Sequence, residues 1–266
     1  MTKQKVYQWL KVTNQNGVVE VKLNRPAVRN AFSPAMIAEL ANAFAEIAAD
    51  PSNRLVVLSG EGPVFCAGAD LTWMKESIQY DETKNQTEAR DLFAMFANAA
   101  ACPVPVIACI QGAAFGGGLG LVACADFVLA AEKTKLCFSE VKLGIVPAVI
   151  SGFVLAKSSP GLVGPWMISG QVFSCADGLR MGLVHQLVAE DLLTEALEEL
   201  TRDFLRAGPE ATRKTKALLR QMNAIDSLQA SEDLCTKLIA EVRVSAEGQE
   251  GLKAFLEKRE PQWRTT

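Results

Sequence analysis

The sequence predicts an α/β fold with a helical C-terminal region. Twice, an apolar run of strand type empties into a loop of small residues and then into a helical segment, over residues 54–71 and again over 104–125. Short β-type runs alternate with helical ones through residues 6–140. Beyond residue 191 only amphipathic helical segments follow, and they need a partner surface for their apolar faces. The chain has 266 residues and is 49% hydrophobic, enough for one globular unit with a sizeable core. We divide it into a core over 1–190 and a helical region over 191–266.

Residues 6–12 and 18–23 read as strands, joined at Asn16-Gly17, a strong hairpin signal. Pro26 stops the second. Ser33 is set to cap a helix with Pro34 in its first position, and Met36, Ile37, Leu40, Phe44 and Ile47 recur at helical spacing. Residues 54–59 form the next strand. Asp70 stands at a helix start and suits a cap. Residues 81–98 read as a polar, then amphipathic helix placed over the mouth of a site. Residues 104–110 are a buried strand, 126–131 another and 134–138 a short one, with Asp126 opening its strand. Helical segments follow at 152–157, 161–169 and 174–181, then a short β piece at 182–188. The tail divides into helices at 191–205, 209–222, 227–244 and 247–258, with Pro209 in a first helical position.

The chemistry concentrates in Gly112-Ala-Ala-Phe-Gly116-Gly117-Gly118-Leu-Gly120, read as a turn between a buried strand and a helix. A Walker-type phosphate loop fails, because Gly-Lys-Ser/Thr is missing. Gly118-Leu-Gly120-Leu-Val-Ala123 matches a dinucleotide fingerprint only loosely, and no kinase-type lysine strand follows. An oxyanion hole is the reading left: a glycine turn at a helix N-terminus presents backbone N–H groups to developing negative charge. It needs a second donor, and the small-residue loop Ala67-Gly68-Ala69 can supply one. Glu140, just after a strand and between Phe138 and Val141, is a candidate proton-transfer group if partly buried.

A formal charge of −3 argues against a nucleic-acid partner, and no uncharged apolar stretch is long enough for a membrane span. Seven scattered cysteines without Cys-x-x-Cys read as reduced, buried thiols of a cytoplasmic protein. The one histidine, His185, cannot build a histidine-rich metal site and reads as structural, so no metal is expected. Residues 1–5 lack the apolar core of a signal peptide.

Taken together, the motifs resemble the enoyl-CoA hydratase/isomerase (crotonase) superfamily. The matching pieces are Leu23-Asn-Arg-Pro26 with Asn30-Ala31, Phe65-Cys-Ala-Gly-Ala-Asp-Leu71, Gly112 to Gly118, Glu140 with Leu143-Gly144 and Pro147, Gly182-Leu-Val184, and Glu250-Gly251 through Trp263. They run in family order over nearly the whole chain. The resemblance implies a spiral of β-β-α units whose helical C-terminal region makes trimers or hexamers, an acyl-CoA thioester as substrate, and no further cofactor. It implies that the N–H groups of Ala69 and Gly117 form the oxyanion hole and that Glu140 is catalytic. It also implies a coenzyme A wall of Arg25, Ala27, Val28, Ala67, Gly68, Asp70, Leu71 and Gly116, with Phe255 and Lys258 near the nucleotide end, sometimes across a subunit boundary. Typical hydratases of the family carry a second glutamate where this chain has Gly120, so Gly120 is expected to leave an empty position, open to a branched acyl group or a water. Gly118-Leu-Gly120-Leu-Val with the stretch from Gly144 to Ser151 is similar to bacterial methylglutaconyl-type hydratases, enzymes of branched-chain amino acid degradation. A carboxylated acyl group of that kind wants a cation, for which Lys142 and Lys157 are candidates. A 2-enoyl-CoA hydratase is the leading expectation. A single-base 3,2-enoyl-CoA isomerase and a non-catalytic acyl-CoA binder are the alternatives, with a nicotinamide oxidoreductase a distant fourth.

Overall fold

The sheet starts at the hairpin predicted for Asn16-Gly17. Strands β1 (Leu10–Gln15) and β2 (Val18–Leu23) pair antiparallel, and both turn residues hold positive φ, 52° and 81°. That conformation matches the twist of the flanking strands. The computed structural model describes residues 6–225 and 227–264; residues 1–5, read above as no signal peptide, lie outside the described residues. β1 begins later than the predicted residue 6 because the N–H groups of Gln8 and Trp9 donate to the Glu39 carboxylate rather than to a ladder.

Helix α1 (Pro34–Ala49) is capped as predicted, Ser33 accepting from the Met36 N–H, and buries the predicted face. Strand β3 (Leu55–Gly60) leads to α2 (Leu71–Ser77) and α3 (Glu82–Ala101), and β4 (Val106–Ile110) leads to a short strand β5 (Ala113–Phe115) and α4 (Gly117–Cys124). Then come β6 (Phe127–Ala131), β7 (Lys135–Cys137), α5 (Ala148–Leu155), α6 (Pro160–Ser169), β8 (Phe173–Ser174), α7 (Cys175–Arg180) and β9 (Gln186–Val188). Helices α8 (Leu193–Arg206), α9 (Pro209–Met222), α10 (Leu228–Val244) and α11 (Ala246–Leu256) complete the chain. Among the described residues the main sheet runs β1-β2-β3-β4-β6-β9, parallel from β2 onward, and a second sheet runs β5-β7-β8.

The central parallel strands are apolar on both faces, as helices on either side require. Val56, Leu58, Val106, Ala108 and Ile110 face the large core under α1 and α3, while Leu55, Val57 and Ile107 face Leu197, Leu200 and Phe204 of α8. Helix α9 is tied to the sheet by one buried cation: Lys216 Nζ donates to the Val104 carbonyl (3.0 Å) and to Asp126 (2.5 Å). Asp126 does not open its strand. Its carboxylate accepts from the Val106 N–H (2.8 Å), so the strand starts one residue later.

Two short strands were not legible. Residues 113–115, predicted as part of a turn, pair with β7, and β8 pairs with β7 from the other side. Both are too short to carry a periodic signal. At the C-terminal end of the sequence's last β piece only Gln186–Val188 pairs, because His185 turns its ring inward.

Candidate active site

Two loops leave the C-terminal ends of β3 and β4 and are fastened together. The Phe65 N–H donates to the Gln111 carbonyl (2.9 Å), Cys66 to Ala113 (3.1 Å) and Phe115 to Cys66 (3.0 Å). Glycine makes the approach possible: a Cβ on Gly118 would lie 2.8 Å from the Cys66 carbonyl oxygen.

The first loop is held from behind by residues 25–32. Asn30 is fully buried with φ of 55°; its amide nitrogen donates to the Glu61 (2.9 Å) and Val64 (2.8 Å) carbonyls, and its amide oxygen accepts from the Arg25 N–H (2.8 Å). Phe32 then clamps the loop, donating to the Gly68 carbonyl (2.7 Å) and accepting from the Asp70 N–H (2.8 Å). That pairing turns the Ala69 N–H away from Phe32. The second loop ends in Gly116, at φ of 49°, and Gly117 takes the first position of α4, where a backbone N–H has no intrahelical partner. The N–H groups of Ala69 and Gly117 donate to no described group. Ala69 is exposed and Gly117 half-buried, so both are reachable.

Glu140 is delivered by the second sheet. β7 pairs with β5 in register, Phe115 opposite Cys137, and the chain then turns tightly through Glu140–Leu143. A Cβ on Gly116 would lie 3.3 Å from Glu140 Oε1. The other carboxyl oxygen, Oε2, is buried without a hydrogen-bond partner. Burial pushes the Glu140 carboxyl above its ordinary pKa. Two unpaired N–H donors beside a buried carboxyl can polarise a carbonyl oxygen and move a proton near it.

Asp70 is spent within the chain, as predicted. Its carboxylate caps α2 at the Thr72 N–H (2.7 Å) and pairs with Arg25 (2.8 Å). Burial raises its pKa, but these hydrogen bonds outweigh burial and hold it below the ordinary value. Arg25 is equally committed: it also donates to the Ala31 carbonyl (2.5 Å) and stacks 4.8 Å from the Trp9 ring centroid. Ala27, Val28 and Leu71 are exposed beside it. Phe255 is 82% exposed on α11, and no described contact brings it or Lys258 to the loops.

Two sequence expectations change. The space at Gly120 is not empty: a Cβ there would meet Ile150 Cγ2 at 2.5 Å and the Phe96 ring at 2.8 Å. A side chain on α5 and one on α3 fill the position. Lys157 is not at the site either, since its charge acts on Cys124 and His185, at the far end of α4. The Lys142 stem runs beside Gly170. Phe32, Phe96 and Ile150 were missed as site-forming residues, because nothing local in the sequence marks which core residues meet a glycine helix. His185 is structural as expected, its Nδ1 accepting from the Val128 N–H (3.0 Å) and its ring stacked on Phe127. No metal-binding cluster occurs among the described residues, and no described helix is long and apolar enough to cross a membrane.

The family model described as enoyl-CoA hydratase/isomerase matches residues 13–266. A putative enoyl-CoA hydratase from Thermus thermophilus is 30% identical over 246 residues, covering 92% of this chain and 97% of that protein. The 2,3-dehydroadipyl-CoA hydratase of Escherichia coli is 32% identical over 254 residues, covering 95% and 97%. The crystal structure of an enoyl-CoA hydratase from Shewanella pealeana superposes with a TM-score of 0.91 at 34% identity, covering 97% of this chain and 96% of that one.

An unpaired buried carboxylate costs stability, which gives a test independent of catalysis. The folded-state pKa of Glu140 lies above the unfolded one, so its relative contribution is fully present below the unfolded pKa and is lost as pH rises through the folded pKa. Glu140→Gln is therefore expected to melt higher than the parent at pH 7, by about 2–4 °C for each kcal/mol relieved. The gain should vanish near pH 4. Equal melting temperatures at pH 7, read by calorimetry, would mean that Glu140 is not buried as an unpaired anion.

Proposed function

Because the chain belongs to the enoyl-CoA hydratase/isomerase family, we propose that it hydrates a 2-enoyl-CoA thioester, with Ala69 and Gly117 as oxyanion donors and Glu140 as the proton carrier. The observation that carries this reading is the buried, partnerless Oε2 of Glu140 beside two unpaired N–H groups. A buried carboxyl oxygen without a partner is a cost that a substrate proton or a water would relieve.

The thioester oxygen lies between the Ala69 and Gly117 N–H groups. The Glu140 carboxylate takes a proton from water as the water oxygen bonds to the β-carbon. The π electrons move toward the thioester oxygen, and the two N–H groups hold the enolate charge. Protonated Glu140 then returns the proton to the α-carbon. Oxygen and hydrogen are both accounted for by one water, and no electron leaves the system. Small residues at 69 and 117 suit this role, because the donors must come within about 3 Å of the oxygen. The coenzyme A moiety would pass along Ala67, Gly68, Leu71 and the exposed Ala27 and Val28, with Phe255 and Lys258 supplied by another copy of the chain.

One observation favours a second reading. Ile150 and Phe96 close the position at Gly120, leaving Glu140 as the carboxyl beside the two donors. A lone carboxylate suffices to move a proton from the α- to the γ-carbon, so a 3,2-enoyl-CoA isomerase is the alternative. The methylglutaconyl-type substrate keeps its sequence motive, and of its two candidate cations Lys142 alone lies in the Glu140 segment.

Assembly follows from the tail: Ile239, Val244, Leu252, Phe255 and Leu256 expose apolar surface on α10 and α11. Light scattering should show a trimer or hexamer, and a stable monomer at micromolar concentration would contradict that proposal.

For the chemistry, Glu140→Gln should lower turnover of a 2-enoyl-CoA by about 10²- to 10⁴-fold while acyl-CoA still binds. In the parent, activity should fall as pH drops through a Glu140 pKa raised by burial, since the carboxylate is the working form. Gly117→Pro, which deletes one donor, should cost about 10²-fold or more in a variant that keeps the parent circular dichroism. Turnover within a few-fold of the parent in both variants would end the proposal. Formation of 2-enoyl from 3-enoyl thioester with no 3-hydroxy product would replace hydration by isomerisation.

A further inference from the structure

Hydration needs one thing that isomerisation does not, a water aimed at the β-carbon. Water offers two hydrogens, and two acceptors fix its orientation. Glu140 accepts the hydrogen that is transferred. The position at Gly120 offers no second acceptor, because Ile150 and Phe96 close it. Several polar side chains around the loops are already engaged. Arg25 and Asp70 pair with each other, and the Cys66 and Cys137 thiols donate to the Asn30 (3.1 Å) and Gly170 (3.2 Å) carbonyls.

Ser139 is not engaged. It stands just before the tight turn Glu140–Leu143, yet its side chain makes no cap bond there, and its hydroxyl bonds no described group. The residue is half-buried, so the hydroxyl is reachable. Gly116 shows where that hydroxyl lies. The Gly116 N–H donates to the Cys137 carbonyl (2.9 Å), which draws the residue before the Gly117 donor against the residues before Glu140. A Cβ on Gly116 would lie 3.2 Å from Ser139 Oγ and 3.3 Å from Glu140 Oε1. The hydroxyl and the carboxylate therefore flank the same bare α-carbon, one residue from an oxyanion donor. A side chain at that position would crowd both oxygens; glycine leaves the approach to both open.

We propose that Ser139 is the second anchor of the attacking water: its hydroxyl oxygen accepts the hydrogen that the water keeps, while the Glu140 carboxylate takes the one it gives up. The proposal rests on the hydration reading above and adds the residue that orients the nucleophile. The water oxygen bonds to the β-carbon as its O–H bond to the transferred hydrogen breaks. That proton passes through Glu140 to the α-carbon. The retained hydrogen becomes that of the new 3-hydroxyl group, so Ser139 ends with the proton it began with. Moving a proton between the α- and γ-carbons uses no water. Ser139 therefore has no part in isomerisation, nor in exchange of an α-proton through Glu140.

The test sets two reactions of one protein side by side. Hydration of crotonyl- and 2-octenoyl-CoA is followed by loss of the enoyl absorbance. Exchange of the α-protons of butyryl-CoA in D₂O is followed by NMR; it calls on the two N–H donors and Glu140 but on no water at the β-carbon. Ser139→Ala should slow hydration about five- to tenfold, the scale of one hydrogen bond, and change exchange by less than about twofold. Ser139→Thr keeps a hydroxyl and should hydrate within about threefold of the parent. The Ser139 hydroxyl ties nothing in the fold, so both variants should melt near the parent, which calorimetry checks. Unchanged hydration in Ser139→Ala, an equal loss of both reactions, or a threonine variant as slow as the alanine one at the parent's melting temperature overturns the anchor while the hydration reading stands. A parent that hydrates neither enoyl thioester overturns the hydration reading itself.

Discussion

The site depends on a three-bond parallel ladder between two loops. Phe65, Cys66 and Phe115 donate across it, and the donors fix where the first loop ends relative to the start of α4. Ala69 and Gly117 are far apart in sequence, yet each lies just beyond one side of this ladder, so their N–H groups are placed by backbone bonds rather than by mobile side chains. Such placement suits an oxyanion site, because preorganised donors need not reorient when charge develops. The residues behind the ladder serve the same end. Asn30 bonds two carbonyls of the first loop, Phe32 clamps Gly68 and Asp70, and the Arg25–Asp70 pair joins the turn after β2 to the cap of α2.

The site also carries a cost. Glu140 is held where burial opposes its charge and where one of its oxygens meets no partner; among the described residues it is the one carboxylate oxygen left so. Lys216 shows the contrast: it is more deeply buried than Glu140 but bonds a carbonyl and a carboxylate. Lys216 has its partners within the fold, whereas the Glu140 oxygen has none there, which is the kind of local violation expected where a proposed site lies.

Local signals in the sequence were reliable. Ser33-Pro34 capped α1, Asn16-Gly17 turned the hairpin, Asp70 capped α2 and Pro209 began α9, since each acts within a few residues. The two small-residue loops between strand and helix were legible as loops, and the family resemblance singled out Glu140 beside them. What failed was non-local. Gly120 looked like a gap, yet Ile150 fills it from a helix thirty positions along the chain. β5 and β8 exist only because β7 lies between them. Lys157, close to Glu140 in sequence, is carried by α5 toward the opposite end of α4. Packing partners of this kind have no signature in a single chain.

The central claim is that two backbone N–H groups converge on one thioester oxygen, and infrared spectroscopy reads that bond. The carbonyl stretch of a saturated acyl-CoA, labelled with ¹³C at the thioester carbon, is compared free in water and bound to the protein. The account predicts a shift to lower frequency on binding that persists in Glu140→Gln and is lost in Gly117→Pro. A bound carbonyl at its frequency in water, with the thioester saturating the site, would contradict it.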